Sequence, residues 1–173
     1  MSDLRRFIRD VPDFPRQGIL FKDITPLLLD PQAFGAALDL MSQRVPRPDV
    51  VVAVESRGFV FGTGLALRWQ VPLVPARKFG KLPCKTVREV YSLEYGEDTL
   101  EIHADALKPG QKVVIVDDLL ATGGTAVAAA RLVEQLEAEV LGMVFLIELT
   151  GLGGRAQLEG RVVEALLQYE VRE

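Results

Sequence analysis

Cysteine and histidine are nearly absent from this chain of 173 residues, which contains one of each, Cys84 and His103. A single cysteine cannot form an internal disulfide, and one cysteine with one histidine supplies too few ligands for a zinc cluster. We expect no chemical role for either residue and place His103 on the surface of a β-hairpin. Since the sequence also shows no signal peptide, the low cysteine content predicts a reducing, cytoplasmic location.

Long apolar runs and an excess of positive charge are missing as well. No segment approaches the roughly 18 apolar residues of a membrane span, so we expect no membrane association. The 20 basic and 24 acidic residues give a net charge of −4, which argues against a general nucleic-acid or anionic-membrane binder. The length predicts a single domain over residues 1–173.

Strand-like and helix-like segments alternate along most of the chain. Buried strands are predicted for "DVVVAVE", "VPLVPA", "KVVIVDD", "VLGMVFLIEL" and "VVEALLQYE", and helices for "GFVFGTGLALRW" and "GGTAVAAARLVEQLEAE". This order predicts an α/β fold with a mainly parallel central sheet flanked by helices. Ligands of such sheets bind beyond the carboxyl ends of the strands.

Two regions are less regular. At the N-terminus, "SDLRRFIRD" predicts a short helix capped by Ser2 or Asp3, and "VPDFPRQGILFKDITP" predicts an irregular, hood-like segment. A helix with Asp30 as its cap and Pro31 in its first turn follows. Later in the chain, "EVYSLEYG" and "DTLEIH" predict a β-hairpin.

The segment "VVIVDDLLATGGT", residues 113–125, runs from a strand into a helix through a turn with two glycines. The first amides of a helix have no intrahelical partner, and the helix dipole favours an anion there by about 0.3–1 kcal/mol. Gly123 and Gly124 let the backbone close around an oxyanion, while Thr122 and Thr125 add hydroxyl groups. The turn therefore suits a phosphomonoester; the alternative is a tight connection with Thr125 as N-cap.

Asp117 and Asp118 stand side by side just before this turn, where their like charges repel each other. Such a pair can hold Mg²⁺, accept hydrogen bonds from a diol or stabilise a cation. The alternative, two solvated acids at the end of a strand, accounts poorly for an apolar strand, a double acid and an anion turn in one segment.

Residues 113–125 resemble the motif with which class I phosphoribosyltransferases bind 5-phosphoribosyl pyrophosphate (PRPP). From Val11 to Tyr169 the chain is also similar to the adenine phosphoribosyltransferase family, in "VPDFPRQGILFKDITPLL", "ESRGFVFG", "RKFGKLP" and "YSLEYGEDTLEIHADAL". This resemblance implies transfer of the phosphoribosyl group of PRPP to adenine, giving AMP and pyrophosphate in purine salvage. It also implies the class I phosphoribosyltransferase fold, with a hood at about residues 1–30, a core at about 31–173 and a flexible catalytic loop hairpin at about 80–95.

The resemblance assigns roles at the ribose phosphate. The 5-phosphate would be bound by Ala121, Thr122, Gly123, Gly124 and Thr125. Asp117 and Asp118 would contact the ribose hydroxyls, and their charge would stabilise an oxocarbenium-like transition state.

For the pyrophosphate, the resemblance points to two groups of residues, Ser56, Arg57 and Gly58, and Arg77, Lys78 and Lys81. A strained or cis peptide is expected in the first group. The basic residues are expected to be shared partly with a neighbouring subunit, which implies a homodimer. Mg²⁺ would arrive with the pyrophosphate, and no protein ligand for it is assigned. Without the resemblance, the alternative for Arg57 is a surface salt bridge, and the alternative for a basic cluster is a solvated face.

The resemblance also covers the purine. Leu20, Phe21 and Lys22 would bind adenine, partly through backbone groups, although many relatives have Arg where this chain has Lys22. Glu94 would handle a proton at the purine ring, and closure of the loop around it would exclude water. From the alternation of a strand alone, Glu94 would be an outward-facing residue.

A second function of a different class is a regulator that binds PRPP without catalysis and controls transcription. Such a protein needs a nucleic-acid surface, usually an added helical module or a basic face. The enzyme-like pattern begins by Val11 and the net charge is −4. Both observations disfavour the regulator.

Overall fold

The N-terminal residues form a unit of their own, Met1–Leu40, in the structure, a computed structural model that describes residues 3–92 and 96–171. It contains a 3₁₀-helix (Leu4–Phe7), the strands β1 (Arg9–Pro12) and β2 (Leu20–Asp23), the helix α1 (Thr25–Leu29), and most of the helix α2 (Pro31–Ser42). Strands β1 and β2 pair antiparallel. The predicted irregular segment is therefore partly a small sheet and a short helix.

The predicted N-terminal helix is too long, because strand pairing replaces it. Arg9 lies opposite Asp23 and Asp10 lies opposite Lys22. Both pairs are also ion pairs, with nitrogen–oxygen distances of 2.6 Å and 2.7 Å respectively. These partners are distant in sequence, so local helical periodicity does not reveal them.

Both predicted helix caps are present in the structure. The carboxylate of Asp3 accepts a hydrogen bond from the Arg5 backbone N–H at 3.1 Å. Asp30 accepts two, from the backbone N–H groups of Gln32 and Ala33, at 3.0 Å and 2.9 Å. Of the two N-terminal candidates, Asp3 is thus the cap, while Ser2 lies outside the described residues.

The second unit, Met41–Glu173, is built on a seven-stranded sheet. Its strands are β3 (Val50–Val54), β4 (Leu73–Lys78), β5 (Thr86–Ser92), β6 (Glu97–His103), β7 (Lys112–Leu120), β8 (Glu139–Thr150) and β9 (Val163–Glu170). Across the sheet their order is β5-β6-β4-β3-β7-β8-β9. The neighbours β4-β3, β3-β7, β7-β8 and β8-β9 pair parallel. Strand β6 pairs antiparallel with both β4 and β5. The mainly parallel sheet predicted from the sequence is confirmed.

Two helices, α3 (Gly58–Trp69) and α4 (Gly124–Gln135), cover the two faces of this sheet. All five residues of β3 are buried, as expected for a central strand with helices on both sides. Alternate residues of a strand face opposite sides. Accordingly Val52 belongs to the apolar cluster that contains Ala129 of α4, whereas Gly62 of α3 lies directly against Ala53.

The predicted hairpin is formed by β5 and β6, and β5 begins earlier than predicted, at Thr86. Thr86 lies opposite His103 at the base of the hairpin. His103 is half-buried, and its Nε2 atom is enclosed without a hydrogen-bond partner among the described residues, so it is not the surface residue that we expected. Residues 93–95, including Glu94, lie outside the described residues.

Within residues 3–92 and 96–171, none of the helices combines the length and the apolar character that crossing a membrane requires.

Candidate active site

The carboxyl ends of two neighbouring parallel strands bring the predicted site residues together. Strands β3 and β7 are in register, with Ala53 opposite Val116. The residues that follow β3, from Glu55 to Arg57, therefore lie next to Asp117 and Asp118. This is the position at which ligands bind in open α/β sheets.

A cavity of about 340 Å³ lies at this edge of the sheet. It is lined by Glu55, Ser56, Arg57, Lys78, the continuous segment 117–126 and Phe145. The volume is at the lower end of the range typical of small-molecule sites. Most of the lining comes from residues that the sequence had already singled out.

The two acids lie inside a strand rather than at its end. Strand β7 continues to Leu120 and pairs with β8 on one side, while β3 on the other side ends at Val54. The acids are therefore held by a sheet neighbour on one side and face the cavity beyond the end of β3. The sequence predicted a strand that stops at the acids, whereas the observed strand extends beyond them to Leu120.

Burial and mutual repulsion act on the acid pair. Burial, followed by the charge of Asp118, raises the pKa of Asp117 well above its ordinary value. Burial also raises the pKa of Asp118, partly offset by Arg57, whose Nε lies 2.9 Å from Asp118 Oδ2. The side chain of Asp118 is buried, at 5% exposure. Two buried acids with raised pKa values in one cavity are common at functional sites.

The phosphate turn, residues 121–125, begins helix α4 without a side-chain cap. Its N-cap is Gly123, with a φ of +89° and no side-chain cap hydrogen bond, so Thr125 is not the cap. The first amides of the helix border the cavity and are available to an anion. A Cβ on Gly123 would lie 2.7 Å from the carbonyl oxygen of Gly154, so only glycine fits there.

Glu55, a residue without a role predicted from the sequence, organises the basic residues. It accepts hydrogen bonds from Arg77 Nε at 3.0 Å and from the Lys78 backbone N–H at 3.1 Å. Arg77 also donates to the carbonyl oxygen of Lys81 at 2.9 Å. Burial alone would raise the pKa of Glu55, but these hydrogen bonds outweigh it and the pKa lies below its ordinary value. A carboxylate directly after a buried strand was the signal that could have identified it.

Lys78 lies in the cavity and is held by the hairpin. Its ammonium donates to the hydroxyl of Tyr91 at 2.6 Å and to the carboxylate of Asp98. Burial by itself lowers the pKa of Lys78, but the interactions with these two partners outweigh it. The pKa therefore lies above its ordinary value, and the side chain is charged. An ammonium has three N–H donors, and the described residues use two of them.

The predicted site residues that the structure describes, which exclude Glu94, divide into three groups. The lining of the cavity includes Ser56, Arg57, Lys78, Asp117, Asp118, Ala121, Thr122, Gly123, Gly124 and Thr125. Outside the lining, Gly58 is buried beside Asp117, and Arg77 and Lys81 lie along the strand and turn next to Glu55. Leu20, Phe21 and Lys22 belong to the N-terminal unit.

The peptide bond between Glu55 and Ser56 is cis, as the resemblance led us to expect. In the N-terminal unit, Lys22 donates to Asp10 at 2.7 Å and the ring of Phe21 packs edge-on against Phe14, with ring centres 5.0 Å apart.

Comparison with known proteins identifies the family. The model of the phosphoribosyl transferase domain matches residues 28–164. The adenine phosphoribosyltransferase of Desulfitobacterium hafniense is 55% identical over 169 residues, which cover 96% of this chain and 98% of that protein. The one of Carboxydothermus hydrogenoformans is 53% identical, with 96% and 99% covered.

Solved structures agree with these sequences. The crystal structure of adenine phosphoribosyltransferase from Thermoanaerobacter pseudethanolicus superposes with a TM-score of 0.93 at 50% identity, covering 96% of this chain and 98% of that one. The enzyme from Saccharomyces cerevisiae, solved with an imino-altritol bisphosphate and adenine, has a TM-score of 0.86 at 43% identity, covering 92% and 94%. The chain therefore belongs to the adenine phosphoribosyltransferases, within the larger family of phosphoribosyl transferase domains.

Proposed function

We propose that the cavity beyond β3 and β7 binds PRPP and that this chain transfers its phosphoribosyl group to adenine, forming AMP and pyrophosphate. The observation that carries the proposal is that two carboxylates and an anion turn line one cavity. The turn suits the 5-phosphate, and the carboxylates suit the ribose hydroxyls. Both lie on one continuous segment of the lining, residues 117–125.

The acid pair would stabilise the transition state. As pyrophosphate leaves, the ribosyl ring gains positive charge beside Asp117 and Asp118. Electrostatic interactions that strengthen only at that point accelerate the reaction. The burial that raises the pKa of both acids also reduces screening of their charge once they are ionised.

The pyrophosphate would be bound by the loop after β3 and by Lys78. Arg57 lines the cavity and pairs with Asp118, so an incoming pyrophosphate would compete for its guanidinium. Arg77 would act mainly by holding the backbone of Lys81, since its guanidinium lies between Glu55 and that carbonyl group.

Magnesium would enter with the substrate. Among the described residues no group of three or more potential ligands could form a metal cage. Mg²⁺ usually binds one or two carboxylates together with substrate phosphates, and Asp117 and Asp118 fit that pattern. Bound in this way, the ion would neutralise the charge of the pyrophosphate.

The remaining roles rest on the resemblance. Leu20, Phe21 and Lys22 would bind adenine, and Glu94 would handle a proton at the purine ring. A homodimer with shared basic residues agrees with the exposure of Lys81, which lies outside the lining described for the cavity of its own chain.

A panel of bases tests the proposal. With PRPP and Mg²⁺, we expect adenine to give AMP with a kcat/KM at least about 10²-fold above those of hypoxanthine, guanine and xanthine, because a polar mismatch leaves buried groups unpaired. Product formation followed by chromatography measures this. Turnover of another purine with adenine inert would contradict the base assignment, and no turnover with any base would contradict the reaction.

A further inference from the structure

An ion pair near the end of β8, outside the cavity lining, is held by several hydrogen bonds. Glu148, at 4% exposure, accepts from Arg155 Nε at 2.9 Å and from Nη2 at 2.6 Å. Gln168 of β9 adds a third hydrogen bond at 2.9 Å, and Arg155 Nη1 donates to the carbonyl oxygen of Val163 at 2.7 Å. Bidentate pairs of this kind fix geometry as well as charge.

Arg155 belongs to the segment that connects β8 to β9, and this segment touches the phosphate turn. A Cβ on Gly154 would overlap the carbonyl oxygen of Ala121 and would lie 3.1 Å from the backbone nitrogen of Gly123. A Cβ on Gly123 would in turn lie 2.7 Å from the carbonyl oxygen of Gly154. The two backbones are therefore in direct contact, with no side chain between them.

The same segment is anchored on its other side. Leu158, in the short 3₁₀-helix Ala156–Leu158, is buried in the apolar cluster that includes Ala126 in the first turn of α4. The segment is thus fixed by the ion pair at Arg155 and by apolar packing at Leu158, and Gly154 lies next to the first of these anchors.

We infer that Arg155 and Glu148 are positioning residues for the 5-phosphate site, acting through the Gly154 backbone on the turn 121–125. The inference deepens the proposed function and rests on it. Arg155 and Glu148 do not line the cavity, so their effect on a ligand passes through contacts of the segment with the turn, among which Gly154 lies directly against Ala121 and Gly123. Without the ion pair between Arg155 and Glu148, the segment that contains Gly154 could move. The backbone amides of the turn 121–125 would then no longer be held in fixed orientations.

Two variants test the two contacts on which this inference depends, the ion pair of Arg155 with Glu148 and the backbone contact of Gly154 with the turn. Arg155→Ala removes the anchor, and Gly154→Ala forces the turn away from the segment. For both we expect the Kd of ribose 5-phosphate, measured by calorimetry, and the KM for PRPP to rise about tenfold or more, since small displacements of positioning groups can cost up to about 10²-fold. The KM for adenine should stay within about twofold, because the affected contact is at the 5-phosphate.

A matched control comes from a second ion pair of the same region. Arg161 Nη1 lies 2.7 Å from Glu134 Oε1 in the last turn of α4. We expect Arg161→Ala to leave the ribose 5-phosphate Kd and both KM values unchanged. Arg155→Lys, which keeps the charge but not the bidentate geometry, should fall between Arg155→Ala and the unchanged protein.

Folding is checked separately by thermal denaturation. Gln168→Ala removes one hydrogen bond to Glu148 but leaves its ion pair with Arg155 intact. This milder variant tests the inference if Arg155→Ala does not fold. It should raise the ribose 5-phosphate Kd by a smaller factor at an almost unchanged Tm.

Unchanged ribose 5-phosphate binding in folded Arg155→Ala, Gly154→Ala or Gln168→Ala protein, or an equal rise of both KM values, would overturn the inference. The failure of the proposed function looks different: the unchanged protein would then form no AMP from adenine and PRPP.

Discussion

Replacing Gly123 with valine is expected to lower kcat/KM for PRPP by at least about 10³-fold, more than the roughly 10²–10³ that the loss of a single oxyanion donor costs. Gly123 has a φ of +89°, and a Cβ there would lie 2.7 Å from the carbonyl oxygen of Gly154. The turn must therefore open, which redirects several amides of the 5-phosphate site together. Steady-state kinetics and ribose 5-phosphate binding measure the loss.

Gly110 provides the matched control for this substitution. It has a similar φ of +76°, but a Cβ there meets nothing within 4 Å. It precedes β7, at the opposite end of that strand from the acids. Gly110→Val should cost about 1–2 kcal/mol of stability through the same backbone strain and leave the KM for PRPP unchanged. If Gly123→Val and the unchanged protein had equal kcat/KM values for PRPP, the turn would not be part of the 5-phosphate site.

Replacing Asp117 with asparagine is expected to make the protein more stable and less active. Burial and the charge of Asp118 raise the pKa of Asp117 above 3.8. Folding therefore favours the protonated form, and stability is lost as the pH rises through the raised pKa. A neutral amide avoids that loss, so Tm at pH 7 should rise by a few degrees, as about 1 kcal/mol shifts Tm by roughly 2–4 °C at this size.

The gain in stability should depend on pH in a defined way. Below the ordinary aspartate pKa of 3.8 both variants are neutral at this position, and the difference in Tm should vanish. The rate should fall by about 10²–10³, the usual cost of losing one electrostatic group of a transition state. Loss of rate without a gain in Tm would contradict the interpretation of the raised pKa.

Asp49→Asn is the control for this charge removal. Asp49 is exposed just before β3 and accepts a hydrogen bond from the Lys112 backbone N–H at 2.9 Å. It therefore lies at the end of the sheet opposite to the acid pair. We expect the Tm at pH 7 and the rate of Asp49→Asn to change only slightly, since substitutions at exposed positions usually have small effects on stability.

Elements with a local signal were predictable from the sequence. The buried runs of β3, β7 and β8 and the Ala-rich helix α4 are visible as patterns because their periodicity and burial arise within a few residues. The caps Asp3 and Asp30 are equally local. In contrast, the pairing of β1 with β2 rests on partners such as Asp10 and Lys22, which no local pattern connects.

The site shows the same division. Its chemical groups, the acid pair and the glycine turn, follow one another along a single segment, so the motif alone pointed to PRPP. The prediction of Thr125 as an alternative cap was wrong, because Gly123 adopts the N-cap position with a positive φ. The roles of Glu55 and Gly154 were missed, since each depends on a strand or segment that is distant in sequence.

The sequence by itself determined the fold class and the chemistry, since both depend on residue types in short, continuous runs. Only the tertiary structure decided which groups meet: the guanidinium of Arg57 with Asp118, the hairpin acid Asp98 with Lys78, and the backbone of Gly154 with the phosphate turn. These contacts join residues brought together by the order of strands in the sheet. That order is set by packing of the whole core and leaves no signal in any single segment.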